Sequence, residues 1–182
     1  MVESRSDIVK RRSILPKWIV AWLWISTVIC LLDVAYTMLR PMTLRGGALG
    51  NIYSDVDLRY ADEKDLVTMA TGRVMLLEIV MNIVALIMVR SKHADLTAFT
   101  SSAFVFWKTL LYLVMFIAPP EGYQSYLLEE AGFWRLFWVF WIADGVWVVM
   151  PLAVMCALWR RIVSANHYPG SDSEGFSGIL LR

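Results

Sequence analysis

Four long apolar stretches, at residues 18–39, 72–89, 97–117 and 134–159, dominate the sequence. An α-helix needs about 20 mostly apolar residues to cross the hydrocarbon core of a bilayer. None of the stretches has the two-residue alternation of a transmembrane β-barrel, and backbone polar groups in lipid must be hydrogen-bonded within the protein. The sequence therefore predicts an all-α fold, a polytopic membrane bundle of four helices.

Composition supports this class and excludes others. Of the 182 residues, 58% are hydrophobic and 18% are charged, which is more apolar surface than a soluble domain of this size can bury. The formal net charge is +1 without a long basic run, so no nucleic-acid partner is expected. The sequence has no phosphate-binding glycine pattern and no metal-ligand spacing, so we expect neither a cofactor nor a metal. Cys30 and Cys156 lie inside apolar stretches and are interpreted as packing residues.

Basic residues predict the topology. Ten of the 17 Lys and Arg residues lie on the side of the two termini and six on the opposite side, which places both termini in the cytosol by the positive-inside rule. We expect a cytosolic tail at 1–17, the four-span domain at 18–160 and a disordered cytosolic tail at 161–182. The one long connection, 40–71, ends in the mixed-charge sequence RYADEKD, which is suited to a short interfacial helix or lid.

Charged side chains inside the predicted spans mark the candidate site. Apart from Arg73 and Arg135, which lie at span ends, there are four of them: Asp33, Glu78, Lys108 and Asp144. A charge in hydrocarbon costs from ~3 to more than ~10 kcal/mol, so such residues face a protein cavity. At 1.5 Å rise per residue, all four can reach the same half of one bundle interior. We therefore expect an intramembrane ligand cavity that holds them.

Three carboxyl groups and one lysine cannot all be charged in a dry cavity, so at least one carboxyl group should be protonated near neutral pH. A neutral acid that donates a proton, beside an ionised carboxylate that accepts one, is what isomerisation or cyclisation of an alkene requires. The alternative is that the four groups form a purely structural network of ion pairs and hydrogen bonds.

Neighbours at helical spacing extend the candidate site. Trp141, Asp144, Trp147 and Pro151 fall on one face of the fourth span, where an indole ring can stabilise a cation by ~0.5–2 kcal/mol without trapping it. The other charged residues each have a polar neighbour one turn away, which adds Tyr36, Asn82 and Tyr112 to the candidate substrate-binding residues.

Several motifs together resemble the EXPERA family, which includes a sterol Δ8-Δ7 isomerase and the sigma-2 receptor. These motifs are LLDVAYTMLRP with Asp33, RYADEKD with Asp65, MLLEIV with Glu78, and ADGVWVVMP with Asp144, Trp147 and Pro151. The resemblance covers residues 18–160 at sparse positions. It implies a cavity open to the membrane, a homodimer, and location in the endoplasmic reticulum membrane.

The resemblance also implies roles for the matching residues. Asp33 and Glu78 transfer the proton, Trp147 faces the carbocation and Asp65 caps the lumenal mouth of the cavity. The chain departs from the isomerase at Ile29, where the isomerase has a histidine. It departs again at Lys108 in FWKTLLY, where the isomerase has an acid. Lys108 can hold a neighbouring carboxylate ionised or polarise an oxygen of the substrate.

The leading hypothesis is an enzyme that protonates a sterol-like or terpenoid substrate at an alkene or epoxide and removes a proton elsewhere. In this hypothesis Asp144 stabilises or orients the substrate, and the assignment of acid and base is open. A second hypothesis is a non-catalytic sterol- or lipid-binding protein of the sigma-2 receptor type. A third is a four-helix assembly factor whose buried charges serve partner helices.

Overall fold

The structure, a computed structural model, describes residues 15–40, 42–43, 56–117, 121–122, 127 and 132–166. Most of the predicted N-terminal tail and all of the chain after residue 166 lie outside the described residues, so the disorder of the C-terminal tail stays a prediction.

The described residues form helices and no named strand. In chain order the elements are α1 (Lys17–Met38), α2 (Leu58–Ala61), α3 (Leu66–Ile87), α4 (Ala94–Val114), α5 (Phe133–Leu136), a π-helical segment (Phe137–Ile142) and α6 (Ala143–Asn166). Four helical stretches are long and apolar enough to cross a membrane, namely α1, α3, α4 and the continuous stretch Phe133–Ser164. The prediction of an all-α, multi-pass membrane bundle is therefore confirmed.

The long helices pack against one another mainly in chain order. Among the described residues, α1 packs extensively against α3, α3 against α4, and α4 against α6, whereas α1 and α6 have no comparable backbone packing. A buried apolar cluster nevertheless joins all four at one end of the bundle. Its members are Leu15, Ile19, Trp22, Leu23, Ala85, Ala94, Ala98, Val154 and Leu158. The small alanine side chains permit the close helix approach that is common in membrane proteins.

The outer surface of the bundle is apolar. Large hydrophobic side chains such as Leu32, Leu77 and Trp107 are each more than half exposed. An apolar exterior of this extent is what a bilayer covers and what an aqueous surface does not tolerate.

Two helix boundaries differ from the sequence prediction by six residues or more. Helix α3 begins at Leu66 rather than at residue 72, because Asp65 caps its N-terminus by accepting hydrogen bonds from the Thr68 backbone N–H at 2.7 Å and from the Thr68 hydroxyl at 2.8 Å. Helix α6 continues to Asn166, past the predicted boundary at residue 160. An ion pair between Arg161 and Asp95 of α4, 3.0 Å long, attaches this extension to the bundle.

The Asp65 cap provides a test of the connection before α3. Asp65→Ala removes both bonds to Thr68 and the 3.0 Å ion pair with Arg59. We expect it to lower the free energy of unfolding by about 1–2 kcal/mol. Thermal unfolding of the detergent-solubilised protein, followed by tryptophan fluorescence, measures the change.

The matched control is Glu63→Ala, which removes an exposed carboxylate from the same connection. It should leave the unfolding temperature within error of the unmodified protein. Equal unfolding temperatures for Asp65→Ala and Glu63→Ala would contradict the assigned capping role.

Candidate active site

A pocket of about 370 Å³ lies between α1, α3, α4 and α6. Three Asp or Lys residues from three different helices line it, Asp33 from α1, Lys108 from α4 and Asp144 from α6. Most of the remaining lining is apolar or aromatic, and its aromatic members are Tyr36, Tyr60, Tyr112 and Trp147. The pocket therefore combines a few ionisable groups with a predominantly apolar wall, which is the usual composition of a small-molecule site.

Glu78 lies behind this wall and is not among the lining residues. Its side chain is fully buried, and its Oε2 accepts a hydrogen bond from the Lys108 ammonium at 2.6 Å. Its Oε1 accepts hydrogen bonds from the Cys30 thiol at 3.0 Å and from the Ser26 hydroxyl at 3.3 Å. Glu78 thus forms an ion pair with one pocket residue and holds the thiol of another.

The hydrogen bonds continue from Glu78 into the bundle. The Asn82 side-chain amide donates to the Ser26 hydroxyl at 3.3 Å, and the Ser101 hydroxyl donates to the Asn82 carbonyl oxygen at 2.6 Å. All three residues are buried. Each donor in this series points toward Glu78, so the series stabilises a negative charge on that carboxylate.

The connection before α3 closes part of the pocket. The Tyr60 hydroxyl of α2 donates to Asp33 Oδ2 at 3.2 Å. Nearby, the fully buried Asp57 accepts hydrogen bonds from the Tyr112 hydroxyl of α4 and from the Arg59 backbone N–H. The segment is therefore attached to α1 through Tyr60 and to α4 through Asp57.

Burial raises the pKa of Asp57 from its ordinary 3.8 to about 6, although the hydrogen bonds from Tyr112 and Arg59 oppose the shift. Asp57 lies before α2, outside the four long helices. The carboxyl group of Asp57 therefore titrates near pH 6, within the pH range of ordinary measurements in solution.

Six of the residues selected from the sequence line the same pocket. They are Asp33, Tyr36, Lys108, Tyr112, Asp144 and Trp147. Trp147 also packs against Trp22 of α1, with ring centroids 5.3 Å apart. Glu78, the fourth charged residue selected from the sequence, contacts Lys108 directly.

Four other selected residues do not line the pocket. Glu78 and Asn82 belong to the buried hydrogen-bond series, and Asp65 caps α3 and pairs with Arg59. Trp141 packs edge-on against Phe140, with ring centroids 5.2 Å apart. Trp141 lies in the π-helical segment, whose wider turn breaks the i, i+3 relation to Asp144 that a regular α-helix would give.

Several residues of this site were not predicted from the sequence. Tyr60 lies inside the RYADEKD motif, where only the acid was selected. Ser26 and Cys30 are one helical turn apart, a spacing that places a hydroxyl and a thiol on the same face of α1. Cys30 was interpreted as a packing residue, whereas its thiol also donates to Glu78. Small polar residues at helical spacing, opposite a buried charge on a neighbouring helix, are the sequence signal for this pair.

No group of three or more His, Cys, Asp and Glu side chains that could hold a metal ion is present within the part of the chain that the structure describes. No family model, curated protein or solved structure matches the chain. The resemblance to the EXPERA family therefore stays a prediction from the sequence motifs.

Asp57 generates a pH prediction. Its folded-state pKa, about 6, lies above its ordinary 3.8, so the folded protein holds this proton more tightly than the unfolded chain. Protonated Asp57 therefore adds to the free energy of unfolding, fully so below pH ~4, and this contribution is lost as the pH rises through ~6. For a pKa shift of this size, the free energy of unfolding changes by about 3 kcal/mol.

Asp57→Asn should remove this part of the pH dependence, because the amide does not titrate. Its oxygen can still accept from Arg59, and its N–H₂ can donate to the Tyr112 oxygen. Chemical unfolding at pH 4.5 and pH 7 measures the difference, with the exposed Asp62→Asn as control. An unchanged pH slope in Asp57→Asn would contradict the assignment.

Proposed function

We propose that the protein is a membrane-embedded isomerase or cyclase of sterol-like or terpenoid substrates, including epoxide-bearing ones. It acts by protonation, carbocation stabilisation and deprotonation, in the endoplasmic reticulum membrane with both termini in the cytosol. The observation that carries the proposal is the pocket in which Asp33, Asp144 and Trp147 occur together within a mostly apolar lining.

The contacts of Glu78, and the lining of the pocket, suggest a division of roles. Glu78 is fully buried, pairs with Lys108 and accepts two further hydrogen bonds. Proton transfer is therefore assigned to the two pocket-lining carboxyl groups, Asp33 and Asp144. This replaces the expectation that Asp33 and Glu78 form the acid–base pair. Glu78 instead fixes the position and charge of Lys108.

The reaction begins when the protonated carboxyl group of the pair donates its proton to one alkene carbon or to an epoxide oxygen. With an alkene, the π electrons form the new C–H bond; with an epoxide, the new O–H bond forms and a ring C–O bond breaks, leaving a hydroxyl group. In both cases a carbocation remains on the substrate. The indole face of Trp147 stabilises this cation without forming a bond to it. The ionised carboxylate of the pair then removes a proton from a neighbouring carbon, and those electrons form the product double bond. Cyclisation differs only in that a second alkene of the substrate attacks the cation before this deprotonation.

The position of the pocket favours an apolar substrate that enters from the bilayer. Two of its lining residues, Ile29 and Leu32 of α1, are also exposed on the apolar outer surface. The volume of about 370 Å³ lies within the range of pockets that hold small organic ligands, roughly 300–1,000 Å³. A substrate dissolved in the hydrocarbon region can therefore reach Asp33 without crossing water.

A second candidate function is non-catalytic binding of a sterol or a cationic amphiphile. The specific observation in its favour is that the rings of Tyr36, Tyr60 and Trp147 accompany two carboxyl groups in the same pocket. Aromatic faces and carboxylates together are suited to an amine. The two functions differ in whether a product is released.

Asp33→Asn tests the catalytic function. The amide keeps an oxygen that accepts from Tyr60 but cannot donate a carboxylic proton. We expect turnover to fall by about 10²–10⁴-fold with an unfolding temperature close to that of the unmodified protein. Microsomes expressing each variant are supplied with a panel of sterols and prenylated epoxides in deuterium oxide, and mass spectrometry counts deuterium in the products.

Glu63→Gln, at an exposed position outside the pocket, is the control and should retain full turnover. Binding without any deuterium-containing product, for the unmodified protein as well, would favour the non-catalytic function. Product formation by Asp33→Asn at the unmodified rate would remove Asp33 from the mechanism.

A further inference from the structure

A second cavity, of about 670 Å³, lies in the groove between α3 and α4 and takes no part in the proposed reaction. Its lining includes Ala70 and Val74 of α3, and Ala103, Trp107 and Leu111 of α4. The small alanines leave space between the helices, and the larger side chains make an apolar wall. Because both helices are long and apolar enough to span a membrane, a hydrocarbon chain is the occupant that fits this groove.

The groove and the pocket share a wall. Thr71, Lys108 and Tyr112 line both cavities. Two of these residues use their hydroxyl protons within the protein, since Thr71 donates to the Val67 carbonyl oxygen at 2.8 Å and Tyr112 donates to Asp57. Lys108 is therefore the shared residue with donors left for a ligand.

The ammonium group of Lys108 has three N–H donors. Across the residues that the structure describes, its hydrogen-bond acceptor is Glu78 Oε2, which leaves two N–H groups for an oxygen atom of a ligand. The charge of Lys108 is already balanced by Glu78 at 2.6 Å. A ligand carboxylate would add an uncompensated negative charge in an apolar region, whereas a neutral oxygen would not.

We propose that the α3–α4 groove binds a lipid with an apolar chain that ends in a neutral oxygen, such as a long-chain or isoprenoid alcohol. The chain lies along Ala70, Ala103 and Leu111, and the oxygen accepts a hydrogen bond from Lys108. The groove shares Thr71, Lys108 and Tyr112 with the catalytic pocket but none of the pocket's carboxyl groups, so the proposal concerns binding and does not depend on turnover.

The test uses three photoactivatable probes with the same sixteen-carbon chain, diazirine and alkyne, which end as an alcohol, as a carboxylic acid or as a hydrocarbon. The full chain is labelled in detergent, and mass spectrometry locates the label. We expect the alcohol to label α3 and α4 about 3- to 10-fold more than the hydrocarbon, as one retained hydrogen bond predicts. Equal labelling by the hydrocarbon, or stronger labelling by the acid, would overturn the proposal.

Variants locate the site. Ala70→Trp fills the groove from an exposed position that tolerates a larger side chain, and Ala103→Leu does so from α4. Both should lower alcohol labelling several-fold. Ala153→Trp, at an exposed position of α6 that lines neither cavity, should not. Unchanged labelling in folded Ala70→Trp would overturn the proposal.

The role of Lys108 is tested by a double variant in which Lys108 and its ion-pair partner Glu78 are both replaced by neutral residues. Lys108→Met combined with Glu78→Gln leaves no unpaired buried charge, and it should reduce alcohol labelling to the level of the hydrocarbon probe. Asp33→Asn, a pocket variant, should leave labelling of the groove unchanged even where it abolishes turnover. Loss of labelling in Asp33→Asn would place the ligand in the catalytic pocket and overturn the groove site.

Discussion

The ion pair between Glu78 and Lys108 is the interaction on which the interior of this bundle depends. A single charge at this depth would cost several kcal/mol, and the contact at 2.6 Å between α3 and α4 neutralises both partners. The cost of desolvation is met only when the remaining acceptors are also satisfied. Ser26 and Cys30 of α1 satisfy the second oxygen of Glu78. The pair therefore fixes the mutual position of three helices.

This arrangement has a consequence for the pocket. Lys108 forms its ion pair with Glu78, so its positive charge does not fully neutralise Asp33. Asp33 instead accepts a hydrogen bond from the neutral Tyr60 hydroxyl, which can stabilise a carboxylate without adding a positive charge. A carboxyl group that is hydrogen-bonded to a neutral hydroxyl, as Asp33 is, is better suited to proton transfer than one held in a tight ion pair, since a tightly paired carboxylate is a weak base.

The sequence was sufficient to predict which charged residues meet, but not which way each side chain faces. Four apolar stretches and the 1.5 Å rise of a helix predicted that Asp33, Lys108 and Asp144 lie at similar depth, and they line one pocket. The same reasoning could not show that Glu78 lies behind the pocket wall, because helix rotation depends on packing against neighbours. Nor could it place Trp141, since a π-helical turn changes the face that a residue presents and no residue type in FWVFWI requires one.

Lys108 also links the two cavities physically, because its side chain lines both while its ammonium is held by Glu78. The 2.6 Å contact restrains the ammonium, so an oxygen in the proposed groove site would accept a hydrogen bond from Lys108 without breaking the ion pair with Glu78. The two cavities differ in their carboxyl groups, because Asp33 and Asp144 line the pocket and do not line the groove. Replacing a pocket carboxyl group therefore changes the chemistry of the pocket and leaves the lining of the groove as it is.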